Sequence, residues 1–76
     1  MGIFSSISEG MFAAKVVNLI AKNFHVHSSK LPEWVLSGAK ESAHMYKSNG
    51  YSPEDAALSI LESQGNQIVE DMMSKS

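Results

Sequence analysis

"NGYSPEDAA", Asn49–Ala57, decides the fold. Gly50 follows a helical pattern and suits the left-handed position just past a helix end, where a side chain would be strained. Ser52 is a strong N-cap, and Pro53 fits the first helical position, where a missing N–H costs nothing. Asp55, three residues after Ser52, completes a capping box, and Glu54 and Asp55 favour the positive end of a helix dipole. Tyr51 precedes the cap and can pack back as a staple. One helix therefore ends at this stretch and another starts at Pro53.

Upstream lies "HVHSSKLP", His25–Pro32, another break. Ser28, Ser29 and Pro32 are turn and helix-start residues, and Pro32 suits a first helical turn. A helix over about 32–48 places Leu31, Val35, Ala39, Ala43 and Tyr46 on one side, with Trp34 on its flank. Lys40, Glu41, Lys47 and Ser37 fall elsewhere. Gly38 and Ala39 are small enough to let another helix approach.

Downstream, a helix from Pro53 to about Gln64 turns Ala57, Leu58, Leu61 and Ile60 inward. Gly65–Asn66 has two readings: a stop with Asn66 capping a short last helix over about 67–74, or a kink in one helix. Leu61, Ile68 and Met72 keep a helical spacing, which suits the kink. The favoured reading is the break.

The first helix spans about 4–24. On a wheel of 100° per residue, Phe12, Ala13, Ala14, Val16, Val17, Leu19, Ile20, Ala21 and Phe24 form one continuous face, roughly two thirds of the circumference and wider than a surface helix needs. Two partner helices in a chain this short cover roughly half of a helix, so the surplus should meet a further copy, another protein or a membrane. No stretch alternates as a strand except "NFHVH", which has no partner. The expected fold is all-α: a small irregular or orthogonal bundle of three main helices (about 4–24, 32–48 and 53–64) plus a short C-terminal helix (about 67–74), with residues 1–76 as one domain.

Composition excludes several classes. There is no cysteine, hence no disulfide or thiolate metal site. The six basic residues are all lysine and thinly spread against eight carboxylates. Without arginine or a basic stripe, nucleic acid is not the expected partner. The apolar stretch "MFAAKVVNLIA" is interrupted by Lys15 and Asn18, and is far short of the ~20 residues that a membrane span requires. The expected location is cytoplasmic.

Catalytic and metal chemistry find little support. His25 and His27 form an H-x-H pair, with His44 distant, but no spacing supplies a further ligand. Glu70 and Asp71 are adjacent, so on a helix they diverge by about 100° and cannot act as a facing pair. No nucleophile elbow, phosphate loop or dinucleotide fingerprint is present. The sequence names no catalytic, cofactor or metal residue, and the chain is read as non-enzymatic.

Residues 49–73, "NGYSPEDAALSILESQGNQIVEDMM", resemble the second half of a ubiquitin-associated (UBA-like) three-helix domain. Gly50-Tyr51, Ala56, Ala57, Ile60, Leu61, Gly65 and Asn66 carry the likeness. Asn49 stands where that family usually has Met, and one extra residue separates the two turns. The resemblance implies ubiquitin or peptide binding on the Asn49–Tyr51 turn and on the last helix near Met72 and Met73.

The opening "MGIFSSISEGMF" fits a permissive N-myristoylation pattern at Gly2. One acyl chain binds membranes marginally without a polybasic patch, which Lys15 and Lys22 do not form. The favoured reading makes Ile3, Phe4 and Ile7 the docking end of the first helix, capped by Ser5 or Ser6. Function is thus expected to be that of an interaction or assembly module, self-associating as a homodimer or binding another protein. The expected interface is Phe4, Phe12, Val16, Val17, Ile20, Phe24, Trp34, Tyr51, Met72 and Met73. A membrane surface, reached through the first helix or an acyl chain, is the alternative.

Overall fold

The computed structural model describes residues 8–74 as three helices, α1 (Glu9–Asn23), α2 (Glu33–Ser48) and α3 (Pro53–Ser74), with a single 3₁₀ turn at Ser28–Lys30. No strand occurs among the described residues. The chain is a small all-α bundle. Phe4 and the Gly2 acylation pattern lie outside the described residues.

Helix α1 begins later than expected. Ser8, not Ser5 or Ser6, is its cap: the Ser8 hydroxyl accepts the Met11 N–H at 3.2 Å. Its end is closed by a pair of backbone bonds. The Val26 N–H reaches back to the Ala21 carbonyl and the His25 N–H to the Lys22 carbonyl, both at 3.1 Å. That pairing needs a left-handed residue at His25, whose φ is 58°. Histidine tolerates this region better than most side chains, at some cost. The ring of His27 then accepts the Ser29 N–H and sets the 3₁₀ turn.

The same closure recurs at the end of α2. The Tyr51 N–H donates to the Tyr46 carbonyl at 3.0 Å and the Gly50 N–H to the Lys47 carbonyl at 3.2 Å, with Gly50 at φ 79°. The apolar contact that accompanies this motif is Tyr51 against Tyr46, ring centroids 5.1 Å apart. Ser52 caps α3 as expected, its hydroxyl accepting the Asp55 N–H at 3.1 Å. Pro32 sits just before α2 as its N-cap residue, with no side-chain cap bond.

Helix α3 does not break. It runs through Gly65 and Asn66 without interruption to Ser74. The favoured reading of a stop and a short fourth helix is therefore corrected. A glycine inside a helix costs about 1 kcal/mol relative to alanine. Ile68, three residues on, is fully buried, and burying such a side chain contributes about 1.5–3 kcal/mol. The second term wins. The C-terminal half is also tied down by the Trp34 indole, which donates to the Asp71 carboxylate at 2.6 Å. Gln67 holds the other oxygen of that carboxylate at 2.9 Å.

Both α2 and α3 pack on α1, which is the central helix of the bundle. Phe12, Ala13, Val16, Val17, Ile20 and Ala21 of α1 enter the core, and at 100° per residue they span about half its circumference. They meet Leu31, Val35, Ala39 and Ala43 from the α2 side and Ala56, Ala57 and Ile68 from α3. The alanines allow close helix approach, and the larger side chains of α1 fill the space between. Leu58, expected inward, points out: it is 56% exposed. Pro53, Ala56 and Ala57 take the inner face of the first turns instead.

Candidate functional site

The placement of α1 buries four of the ten residues of the expected interface. Phe12, Val16, Val17 and Ile20 are at most 8% exposed. The chain's own α2 and α3 cover them, so they are not available to a partner. What α1 leaves open is Met11 and Ala14, both exposed, and Leu19 and Phe24, half-buried. Trp34 and Met72 are also half-buried against the core. Tyr51 and Met73 are exposed.

The turn at Asn49–Tyr51 and the C-terminal methionines do not share a surface in the manner the UBA-like resemblance implies. They stand at opposite ends of one helix, separated by about 30 Å at 1.5 Å per residue. The Gly65–Asn66 turn that the resemblance requires is absent. Residues 49–73 are a turn and a single straight run of helix.

Exposed apolar side chains remain on all three helices, Met11 on α1, Met45 on α2 and Leu58, Val69 and Met73 on α3, and those on α3 extend a seam. Leu58, Leu61, Gly65, Val69 and Met72 fall within about 80° of one another on the helix wheel. This seam lies about a third of a turn from the line of Ala56, Ala57, Ile60 and Ile68. Leu58 and Val69 are exposed, and Leu61, Gly65 and Met72 are half-buried. The N-terminal end of the seam continues into a groove of about 260 Å³ shared with α1, lined by Leu19, Asn23, Glu54, Ala57, Leu58 and Leu61. A second groove, over Lys15, Asn18, Leu19, Pro53 and Glu54, adjoins it.

Charge frames the seam on one side. Helix α3 carries Glu54, Asp55, Glu62, Glu70 and Asp71 and no basic residue. Glu54 and Glu62 border the seam. Asp71 turns the other way, to Trp34.

Other grooves are of similar size. One, of about 220 Å³, runs between α1 and α2 beside Gly10, Ala13, Ala14, Val17 and Leu36. The other, of about 280 Å³, lies between α2 and α3 beside Trp34, Gly38, Ser42, Tyr46, Ile60 and Ser63. Both fall below the ~300–1,000 Å³ usual for a small-molecule site.

The histidines have local tasks. His25 closes α1, His27 caps the 3₁₀ turn, and His44 meets the Glu9 carboxylate at 2.6 Å across the α1–α2 interface. No group of three His, Asp or Glu able to hold a metal ion occurs among the described residues. Among them, too, no helix is long and apolar enough to cross a membrane. Comparison with protein-family models, with curated proteins and with solved structures finds no match to this chain.

Placing Leu58 in the core, as the local spacing suggests, hides the Leu58 and Val69 flank. The signal that could have found it is the spacing 58, 61, 65, 69, 72, a second stripe displaced from the stripe through Ala57 and Ile68.

Proposed function

We propose that the chain is a small, non-enzymatic helical interaction module whose docking surface is the outer seam of α3 rather than the broad face of α1. One observation carries this reading: Leu58 and Val69 on the outer side of α3 are 56% and 36% exposed, with Leu61 and Met72 half-buried between them and the core, while the α1 face is consumed by the chain's own packing. An apolar flank left open on a helix is one form in which helical modules meet other helices. The grooves described above, of about 220–280 Å³, give an enzymatic reading no comparable support.

The test uses the full chain carrying a photo-crosslinking amino acid at position 58 or 69, with position 41 on exposed α2 as control. Expressed in the cell that makes the protein, the chain should give adducts at 58 and 69 that are absent at 41. Adducts no stronger at 58 and 69 than at 41 would overturn the reading.

A further inference from the structure

We propose that the end of α3, residues 65–74, is a latch that undocks and melts as a unit while the rest of the bundle stays folded. The inference stands apart from what docks on the seam. Its first ground is how α3 is anchored. Pro53, Ala56 and Ala57 hold the first turns, and after Ala57, Ile68 is the one fully buried residue of the helix among the described residues. The far end therefore has an anchor of its own. Its second tie is separate too: the Trp34 indole donates to Asp71 at 2.6 Å, and Gln67 supports that carboxylate at 2.9 Å. Both α2 and α3 pack mainly on α1, and a groove of about 280 Å³ lies open between them. The Trp34–Asp71 bond closes one end of that groove. At the other end Tyr46 meets Ser59 at 3.5 Å, on the near side of Gly65.

The second ground is the stretch between the anchors. The Ser63 hydroxyl donates back to the Ser59 carbonyl at 2.9 Å, competing with the backbone ladder. Gly65 and Asn66 follow, and both are poor helix formers. A helical segment shorter than about 12 residues does not hold in water without tertiary packing. Once Ile68 and Asp71 let go, nothing keeps residues 65–74 helical. These two grips are three residues apart on one face of the helix, so loss of one loosens the other.

Opening frees the Trp34 indole N–H and bares the core that Ile68 seals. It also takes Val69 and Met72 away from Leu58 and Leu61, so the seam is whole only while the latch is closed. The open form is a minor one, reached by sub-global opening, and bulk unfolding remains two-state.

Native-state hydrogen exchange of the full chain, followed by NMR at low urea concentrations, tests the latch. Amides of residues 69–72 have their helical bonds within it. They should exchange about ten-fold faster, or more, than those of Val16 and Ile20, with one shared opening and one shallow urea dependence. Phe12→Leu should speed Val16 and Ile20 several-fold and leave residues 69–72 unmoved. Phe12 lies at the opposite end of the bundle: Glu9, beside it, meets His44, about 15 Å along α2 from Trp34. Trp34→Phe should speed both groups by one common factor of about ten or more, because the bond to Asp71 is lost in either opening. If residues 69–72 exchange with Val16 and Ile20 and follow Phe12→Leu with them, α3 opens only with the whole domain. Rates graded inward from Ser74, without a shared urea dependence, would be ordinary end fraying. Residues 60–64 opening together with 69–72 would remove the boundary at Gly65. Each of these three results would overturn the latch.

Discussion

Replacing Ile68 with alanine tests whether the far half of α3 is held by the core. Ile68 is fully buried, and it lies beyond Gly65–Asn66, where the helix could otherwise have stopped. Deleting a buried isoleucine to alanine costs about 2–5 kcal/mol, the lost transfer energy plus the cavity left behind. A chain of this size is stable by about 4–11 kcal/mol in total, so the variant should lose a large part of it. Each kcal/mol shifts the melting temperature of such a domain by about 4–8 °C, so Tm should fall by more than about 10 °C. The matched control is Val69→Ala, one residue on and on the exposed side, which should cost about 0.5 kcal/mol or less. Urea titration followed by Trp34 fluorescence and by circular dichroism gives both numbers. The two probes should coincide for a two-state transition. If Ile68→Ala cost no more than Val69→Ala, the segment after Gly65 would not be docked, and the continuous helix would be wrong.

Three further outcomes follow from particular contacts. Gly50→Ala should destabilise by about 1 kcal/mol and His25→Gly should be neutral to stabilising by up to about 1 kcal/mol, because both positions are left-handed; paired thermal melts check the opposite signs. Trp34→Phe removes the donor to Asp71 and should cost about 1.5–3 kcal/mol, the range for a hydrogen bond to a charged group. Asp71→Ala in the same background should then add little, which a double-mutant cycle measures. Gly65→Ala should raise stability by about 1 kcal/mol, since the added methyl meets open space within the chain, which a thermal melt reads.

The local signals carried the caps and half the core. Ser52, Pro53 and Asp55 start α3 where the sequence placed it, because capping depends on four neighbouring residues and little else. Gly50 closes α2 for the same reason. Leu31, Val35, Ala39 and Ala43 are buried as their spacing indicates. What was not legible depends on distant parts of the chain. Whether Gly65–Asn66 breaks a helix turns on Ile68 finding a core and on Trp34 reaching Asp71, 37 residues away; no local pattern encodes that pair. The width of the apolar face of α1 was legible, but its meaning was not. It reflects a central helix packed from two sides, so Val16 and Val17 meet the chain's own helices rather than a partner. Ala57 faces inward as its spacing indicates, but the inner face of the first turns is completed by Pro53 and Ala56 rather than by Leu58, because α3 is rotated by the burial of Ile68 far along the helix.

The most direct measurement is an NMR titration of the unmodified chain against its own concentration, from about 20 μM to 2 mM. Self-association through the α3 seam predicts progressive amide and methyl shifts at Leu58, Leu61, Gly65, Val69 and Met72, with Val16, Val17 and Ile20 unmoved. Shifts centred on α1 would contradict the seam, and none across the range would leave it only to a different partner.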